Sequence, residues 1–290
     1  MRRMRTEGVS NVKPAVIVVS SHVVRGAVGG RAGTFVLERM GFPVWSLPTV
    51  ILPWHPGQGR STRIGIASAS FAGAIADLAR SDALGEVGAI VTGYFGDAAE
   101  IEPVAELIAV VKARSPEAVY LCDPIIGDSD GMFQPAAIGE AIRDRLLPLA
   151  DIATPNRYEL AWLTGTHLAD NDALILSAAK LGPLETVVTS AFAPRGETGA
   201  LVVTPEAACL ARHAEVSGAP HGTGDVFAAL YLGHSLDGAA PAAALERATA
   251  GTLVAVEAAA QANTDELPLA TCQDAMIAAD RGVTVTHLAR

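Results

Sequence analysis

The sequence predicts an α/β fold in which a largely parallel sheet is flanked by helices. Short runs rich in Val and Ile alternate with longer segments of helical period, as in layered α/β proteins. The chain has 290 residues, half of them hydrophobic, which suits one large domain. After residue 191 the alternation gives way to two closely spaced strands, and these predict an antiparallel edge. We expect one domain over 1–290, with a flexible leader at 1–13.

Each element follows from its local pattern. The apolar runs predict strands at 15–20, 43–47, 88–94, 118–124, 151–156, 186–191, 199–205 and 207–216. The segments of helical period predict helices at 29–41, 66–80, 100–114, 136–147, 157–164, 171–181, 222–235, 241–262 and 268–280. Gly41 and Gly182 stand where glycine commonly ends a helix. Residues 48–64, "PTVILPWHPGQGRSTRI", have no period, so we expect a long loop or hairpin of the kind that forms lids; we call this segment the flap.

Composition excludes several classes of function. Acidic residues outnumber basic ones by 31 to 21 and the formal net charge is −10, so we expect no nucleic-acid partner. No run approaches the roughly 18 consecutive apolar residues of a membrane-spanning helix, and the short run "AVIVV" lacks a signal-peptide cleavage site. The cysteines, Cys122, Cys209 and Cys272, form no C-x-x-C motif, and their odd count suits a reducing compartment. We expect a cytoplasmic protein without a membrane partner.

The stretch "HGTGDVFAAL" places glycines and an acid at the start of a predicted helix. A helix that opens on Gly222, Thr223 and Gly224 offers unpaired N–H groups with little side-chain obstruction, so phosphate oxygens can approach the backbone. Asp225 follows at once, and an ionised carboxylate there can accept a proton from an attacking hydroxyl. Aspartate is also common in a first turn merely as a stabiliser of exposed N–H groups. The G-x-x-x-x-G-K-[ST] motif is absent, as is a G-x-G-x-x-G turn after the first strand.

A C-terminal helix that opens on G-x-G-D resembles the signature of ribokinase-like kinases. Further segments in chain order are "SHVVRGAVGG" at 21–30, "GY" at 93–94, "CDPIIGD" at 122–128, "TPNRYEL" at 154–160 and "VVTS" at 187–190. Together they resemble a pyridoxal kinase over residues 15–280. The resemblance implies a three-layer ribokinase-like fold, ATP as co-substrate, and phosphorylation of the 5'-hydroxymethyl group of pyridoxal or another B6 vitamer.

The resemblance also implies a role for individual residues. The vitamer would be bound by Ser21, Val28, Thr49, His55 and Tyr94. The nucleotide and its associated cations would be bound by Asp123, Thr154, Asn156, Thr189, Ser190, Gly222, Thr223 and Gly224. Asp128 and Glu159 would lie near Mg²⁺, Asp123 and Thr154 would help to bind a monovalent cation such as K⁺, and Asp225 would be the catalytic base. The structural alternatives are a turn-capping role for Ser21, a half-buried core position for Tyr94 and a solvated first-turn position for Glu159.

The flap departs from the pattern of the family. Many pyridoxal kinases read N-H-x-x-Y-G where this chain reads "WHPGQG", so that Trp54 replaces Asn and Gln58 replaces Tyr. Gly30 also replaces a frequent Asn, and His221 precedes the G-x-G-D where hydroxymethylpyrimidine kinases often have a Cys nearby. We read the remaining histidines, at 22, 167, 213, 234 and 287, as structural or exposed. The alternatives are a hydroxymethylpyrimidine or sugar kinase, or a non-catalytic vitamer- or nucleotide-binding protein. The resemblance further implies a homodimer.

Overall fold

The computed structural model describes residues 12–280 and 282–289. It therefore leaves most of the predicted leader, residues 1–11, outside the described part. Ten strands form one sheet in the order β12-β11-β10-β9-β8-β5-β4-β1-β2-β3, and β6 and β7 form a separate hairpin. The strands are β1 (Ala15–Arg25), β2 (Val44–Trp54), β3 (Ile64–Gly65), β4 (Val87–Thr92), β5 (Val119–Cys122), β6 (Gly127–Asp128), β7 (Gly131–Met132), β8 (Ile152–Ala153), β9 (Glu185–Ala191), β10 (Glu197–Val203), β11 (Ala208–Ala214) and β12 (Thr284–Leu288).

The fold prediction is confirmed. The six central strands, from β2 to β9, are parallel, whereas β3 at one edge and β10, β11 and β12 at the other are antiparallel. The α-helices are α1 (Gly30–Arg39), α2 (Ser68–Arg80), α3 (Ile101–Arg114), α4 (Ala136–Ala141), α5 (Arg157–Thr164), α6 (Asn171–Ala178), α7 (Thr223–Leu236), α8 (Pro241–Ala262) and α9 (Leu269–Ile277). No helix in the described part of the chain combines the length and the apolar character needed to cross a membrane.

The core lies on both faces of the sheet. Side chains of β1 alternate between the faces: Val16 and Val18 pack with α1 and α7–α9, whereas Ile17 and Val19 pack with α2, α3 and α4. Burial on both faces explains why the parallel strands read as continuous apolar runs. Parallel strands also end at one common edge, so the segments after β1, β4, β5, β8 and β9 meet there, together with the N-terminus of α7.

The flap is a hairpin, the second of the two forms that the sequence predicted, because β2 and β3 pair in antiparallel orientation. Residues 48–54 are not a loop: β2 continues to Trp54 and pairs with β1 as far as Arg25. Val50 and Leu52 pack with Val23 in a small buried cluster, and this burial holds the segment in the sheet. The prolines in this stretch obscured its strand character, but beyond β2 lies only the two-residue β3, and proline is tolerated near such an edge.

Other differences concern short elements. The sequence did not predict β3, β6, β7 or the five-residue β12, and the first three have only two residues each, which is too short to carry a period. The helix predicted at 136–147 is α-helical only to Ala141 and then continues as a π turn and a 3₁₀ turn. Pro148 lies in that 3₁₀ turn, and a residue that cannot donate a backbone hydrogen bond favours the change of helix type.

Candidate active site

A cleft of about 960 Å³ opens at the carboxyl ends of the parallel strands. Residues of the flap and of the N-terminus of α7 both line it. All but one of the predicted site residues line this cleft: Ser21, Val28, His55, Tyr94, Asp123, Asp128, Thr154, Asn156, Glu159, Thr189, Ser190, Gly222, Thr223, Gly224 and Asp225. The sequence motifs are spread over two hundred residues, so their convergence in one cleft is a property of the fold.

The turn at Gly222 accepts only glycine. Its φ is +98°, and a Cβ atom at this position would lie 2.1 Å from the carbonyl oxygen of Ala27. The first hydrogen bond of α7 joins Val226 N to Gly222 O at 3.0 Å. The amides of Thr223, Gly224 and Asp225 precede that bond, and such amides at a helix start form an anion-binding site together with the positive end of the helix dipole.

Asp225 lies half-buried beside this turn. Burial raises the pKa of its carboxyl group to about 6, although hydrogen bonding from the backbone amides of Gly29 and of Asp225 itself acts in the opposite direction. The N-cap residue of α7 is Gly222, which has no side chain to cap the helix, and the carboxylate of Asp225 in the first turn accepts the amide of its own residue. A carboxylate with a pKa near 6 in a cleft has the properties of a general base.

Glu159 occupies a buried capping box at the start of α5. Its Oε2 accepts a hydrogen bond from Asn156 N at 2.9 Å, while Asn156 Oδ1 accepts one from Glu159 N at 2.9 Å. Its Oε1 accepts a bond from Ile126 N at 2.7 Å, which ties the "DPIIG" loop to α5. Glu159 is only 3% exposed, so the solvated alternative is wrong. Burial raises the pKa of Glu159 to about 7.

The second acid of "DPIIGD" and its neighbours form a small loop next to this box. Asp128 belongs to β6 and is half-buried, and its Oδ1 accepts a hydrogen bond from Asp130 N at 2.8 Å. Asn156 Nδ2 donates to Gly127 O at 2.8 Å. Within the described residues, no three His, Cys, Asp or Glu side chains converge closely enough to hold a metal ion by themselves. Any divalent cation here would need oxygen ligands from elsewhere, such as phosphates or water.

Asp123 and Thr154 fit a bound cation. Asp123 is 8% exposed. Burial raises its pKa well above the ordinary range, and the nearby carboxylates of Glu159 and Asp225 raise it further. Thr154 Oγ1 is buried and makes no hydrogen bond of full geometry, but it lies close enough to the Asp123 carboxyl group to lower the pKa of that group. Burying a carboxylate and burying a hydroxyl oxygen without a full hydrogen bond both cost free energy. A bound cation would reduce both costs.

Thr189 and Ser190 lie where β9 reaches the cleft. The amide of Thr189 donates to Pro155 O at 3.0 Å, which joins this strand end to the segment that carries Asn156. Ser190 has a φ of +55°, a left-handed conformation that is uncommon for residues other than glycine. The exposed hydroxyl of Ser190 is therefore held at the rim of the cleft by its backbone.

The predicted vitamer-binding residues lie at the flap end of the cleft, with one exception. Gly29 has a φ of +64°, and a Cβ atom there would lie 2.3 Å from Ser21 Oγ, so the glycine leaves room for that hydroxyl. Thr49 does not line the cleft: it is fully buried, and its hydroxyl donates to Tyr94 O at 2.7 Å. Its observed contact is with the backbone of Tyr94, because β2 carries residue 49 beneath the surface of the cleft.

Several flap contacts were not predicted from the sequence. Arg63 donates to Tyr94 Oη at 3.0 Å and to Gly96 O at 2.7 Å. Gln58 Nε2 donates to Asp265 Oδ2 at 2.9 Å. The ring of His55 stacks on that of His221, with centroids 4.1 Å apart. These contacts join residues far apart in the chain, and only the departures at Gln58 and His221 drew attention to them beforehand.

Two further lining residues belong to β11 and the segment after it. His213 and Glu215 both line the cleft, whereas the sequence analysis treated His213 as structural or exposed. The Nδ1 atom of His213 lies 2.8 Å from Ala214 O. No sequence pattern marked these residues, since β11 belongs to the antiparallel edge and not to a recognised motif.

The parallel sheet, the glycine turn at the start of α7 and the acid beside it define a phosphotransferase of the ribokinase-like class. The phosphomethylpyrimidine kinase family model matches residues 66–270. The pyridoxal kinase PdxY of Corynebacterium diphtheriae is 32% identical over 268 residues, which are 90% of this chain and 95% of that protein. The pyridoxine/pyridoxal/pyridoxamine kinase of Bordetella bronchiseptica is 36% identical over 262 residues, 88% of this chain and 93% of that protein.

A solved structure agrees with these relatives. Pyridoxal kinase from Leishmania donovani in complex with ADP and pyridoxamine is 25% identical and superimposes with a TM-score of 0.88, covering 95% of this chain and 100% of that one. The chain therefore belongs to the pyridoxal kinases, within the family that the phosphomethylpyrimidine kinase model describes. The resemblance inferred from the sequence motifs is confirmed.

Proposed function

We propose that this chain is an ATP-dependent kinase that phosphorylates the 5'-hydroxymethyl group of pyridoxal, and of pyridoxine and pyridoxamine. The single observation that carries the proposal is the position of Asp225, which lies beside the Gly222 turn in the cleft that also holds Ser21 and Tyr94. We further propose that residues 1–290 form one kinase domain whose flap, at 48–64, closes over the bound alcohol.

The proposed reaction uses positioning and charge stabilisation more than covalent chemistry. The amides of Thr223 and Gly224 bind phosphate oxygens, and Thr189 and Ser190, which line the same cleft, also contact the nucleotide. Asp225 accepts the proton of the 5'-hydroxyl group of the vitamer. At the same time, the oxygen of that hydroxyl group forms a bond to the γ-phosphorus of ATP. The bond between that phosphorus and the bridging oxygen breaks, and ADP leaves.

We propose two cation sites from the donor groups present. Asp128 would hold Mg²⁺ with water and phosphate oxygens, and the cation supplies neutralisation of the phosphate charge. Glu159 would act mainly by positioning this loop, because its carboxylate oxygens already accept backbone hydrogen bonds. Asp123 and the buried Thr154 Oγ1 would hold a monovalent cation such as K⁺.

The test of function is ADP production from ATP with pyridoxal, pyridoxine, pyridoxamine and hydroxymethylpyrimidine compared side by side. Hydroxymethylpyrimidine is the second candidate substrate, because the matching family model carries the description phosphomethylpyrimidine kinase. A preference for hydroxymethylpyrimidine or for a sugar would contradict the proposal. Vitamer binding without any ADP production would identify a non-catalytic binding protein.

Replacing the base tests the mechanism. We expect Asp225→Asn to lower the rate of pyridoxal phosphorylation by about 10²- to 10⁴-fold, because general base catalysis contributes on that order. The amide is nearly isosteric, so ATP binding measured by calorimetry should stay close to that of the parent protein. Near-normal turnover in this variant would contradict the role of Asp225.

Two broader properties are also proposed, the first from the family resemblance and the second from the sequence. We propose a homodimer, which light scattering would test by yielding the molar mass of two chains, and a cytoplasmic location, which cell fractionation would test. A monomer at micromolar concentration would contradict the first proposal, and recovery with membranes would contradict the second.

A further inference from the structure

Two histidines from distant segments stack on each other at the mouth of the cleft. His55 belongs to the flap, and His221 directly precedes the Gly222 turn. Their ring centroids are 4.1 Å apart and their planes meet at 28°. Gly57 of the flap lies so close that a Cβ atom there would come within 2.7 Å of His221 Nε2. The flap therefore packs on the ring of His221.

The flap is folded locally so as to present His55. His55 Nδ1 accepts a hydrogen bond from Gly57 N at 3.0 Å and caps the 3₁₀ turn Pro56–Gln58. An accepting Nδ1 requires the neutral ring with its proton on Nε2. Burial lowers the pKa of His55, and the facing His221 lowers it further, which agrees with a neutral ring. Stacked aromatic pairs contribute modestly beyond the area they bury.

The backbone fixes His221 relative to the phosphate-binding turn. His221 is joined directly to Gly222, which has a positive φ and packs so closely on the backbone of Ala27 that no Cβ atom would fit. A flap that packs on His221 is thus placed relative to the turn that would bind the phosphates. The contacts of Gln58 with Asp265 and of Arg63 with Tyr94 hold the tip and the distal limb of the flap instead.

We propose that His221 is a positioning residue that holds the flap closed over the vitamer by stacking on His55. The inference rests on the proposed kinase function. Its consequence is selective: loss of the ring should weaken the vitamer complex and open the flap, while the amides that bind ATP stay in place. The imidazole acts through its aromatic face, so phenylalanine should replace it.

Flap opening can be measured without any substrate. Arg60 lies exposed in the flap, and trypsin cleavage after Arg60, followed by mass spectrometry, reports how often the flap opens. We expect His221→Ala to raise the initial cleavage rate by about 2- to 10-fold, the factor that corresponds to one stacked pair. His221→Phe should restore the parent rate. His167→Ala, which removes an exposed histidine elsewhere, is the matched control and should match the parent.

Kinetics supply the second readout. His221→Ala should raise the KM for pyridoxal by about 2- to 10-fold, with the KM for ATP unchanged and His221→Phe restoring the parent value. In a His55→Ala background, adding His221→Ala should change the KM for pyridoxal by less than about twofold, because both substitutions remove the same contact. Full additivity, or a Phe variant as impaired as the Ala variant, would overturn the proposal.

The two readouts separate this inference from the proposed function. If the parent protein phosphorylates no B6 vitamer, the proposed function fails, yet the trypsin assay still decides whether His221 holds the flap. If the parent is an active pyridoxal kinase and His221→Ala changes neither the cleavage rate nor the KM for pyridoxal, the stacking proposal alone is overturned.

Discussion

Asp225 and Glu159 are both carboxylic acids with a pKa raised by burial, but their surroundings give them different tasks. Glu159 uses both carboxylate oxygens to accept backbone amides from Asn156 and Ile126. Asp225 faces the cleft at the start of α7, where an incoming hydroxyl group can reach it. These environments support the roles proposed for the two acids, positioning for Glu159 and proton acceptance for Asp225.

The raised pKa of Asp225 predicts a pH dependence of the reaction. The base must be ionised to accept a proton, so kcat/KM for pyridoxal should fall as the pH drops below about 6 and level off above it. The kcat/KM profile reports groups of the free enzyme, which is the state described here. The residual activity of Asp225→Asn should lack this limb. A parent profile that is flat between pH 5 and 8 would contradict the assignment.

At the scale of residues, the sequence predicted the placement of groups that are contiguous in the chain. The turn at Gly222 and the acid at Asp225 are adjacent, and their functional meaning depends only on a helix starting there. The stack of His55 on His221 and the bond from Arg63 to Tyr94 depend on which loops meet in space. No local pattern could specify them. Thr49 was expected to bind the vitamer from a loop. It lies instead in β2, and the strand directs its hydroxyl group to the carbonyl oxygen of Tyr94.

At the scale of elements, period and length determined what could be predicted. The helices α3, α5, α7 and α8 begin and end within one or two residues of their predicted bounds, because each is long enough or capped clearly enough to be recognised. Strands β3, β6 and β7 have two residues each and were missed. The extension of β2 was missed because prolines suggest a loop, whereas burial of Val50 against Val23 holds the strand in place.

The capping box joins two elements, and its loss should affect both. In Glu159→Gln, one carboxylate oxygen becomes an NH₂ group that faces backbone N–H donors. We expect the free energy of unfolding to fall by about 1–3 kcal/mol, the usual cost of an unsatisfied buried hydrogen-bonding group. Urea denaturation measures this change. Glu140→Gln, on the exposed face of α4, is the matched control, and equal stability of the two variants would show that the box contributes little.

For the whole molecule, the cleft joins distant parts of the chain. The flap and Ser21 come from its N-terminal quarter, Asp123 to Ser190 from its middle, and the Gly222 turn from its C-terminal quarter. A ligand that fills the cleft should therefore stabilise the entire fold, because binding to the folded state alone adds RT ln(1 + [L]/Kd) to the free energy of unfolding.

We expect ATP with Mg²⁺, at about 100 times its Kd, to add about 2.7 kcal/mol and to raise Tm by roughly 4–5 °C. Asp225→Asn should keep most of this rise, because it removes the base and leaves the amides. Gly222→Ala should lose it, because the new Cβ would lie 2.1 Å from Ala27 O and the turn must move. Differential scanning fluorimetry measures all three proteins. An unchanged rise in Gly222→Ala would mean that the nucleotide phosphates bind elsewhere than at the start of α7.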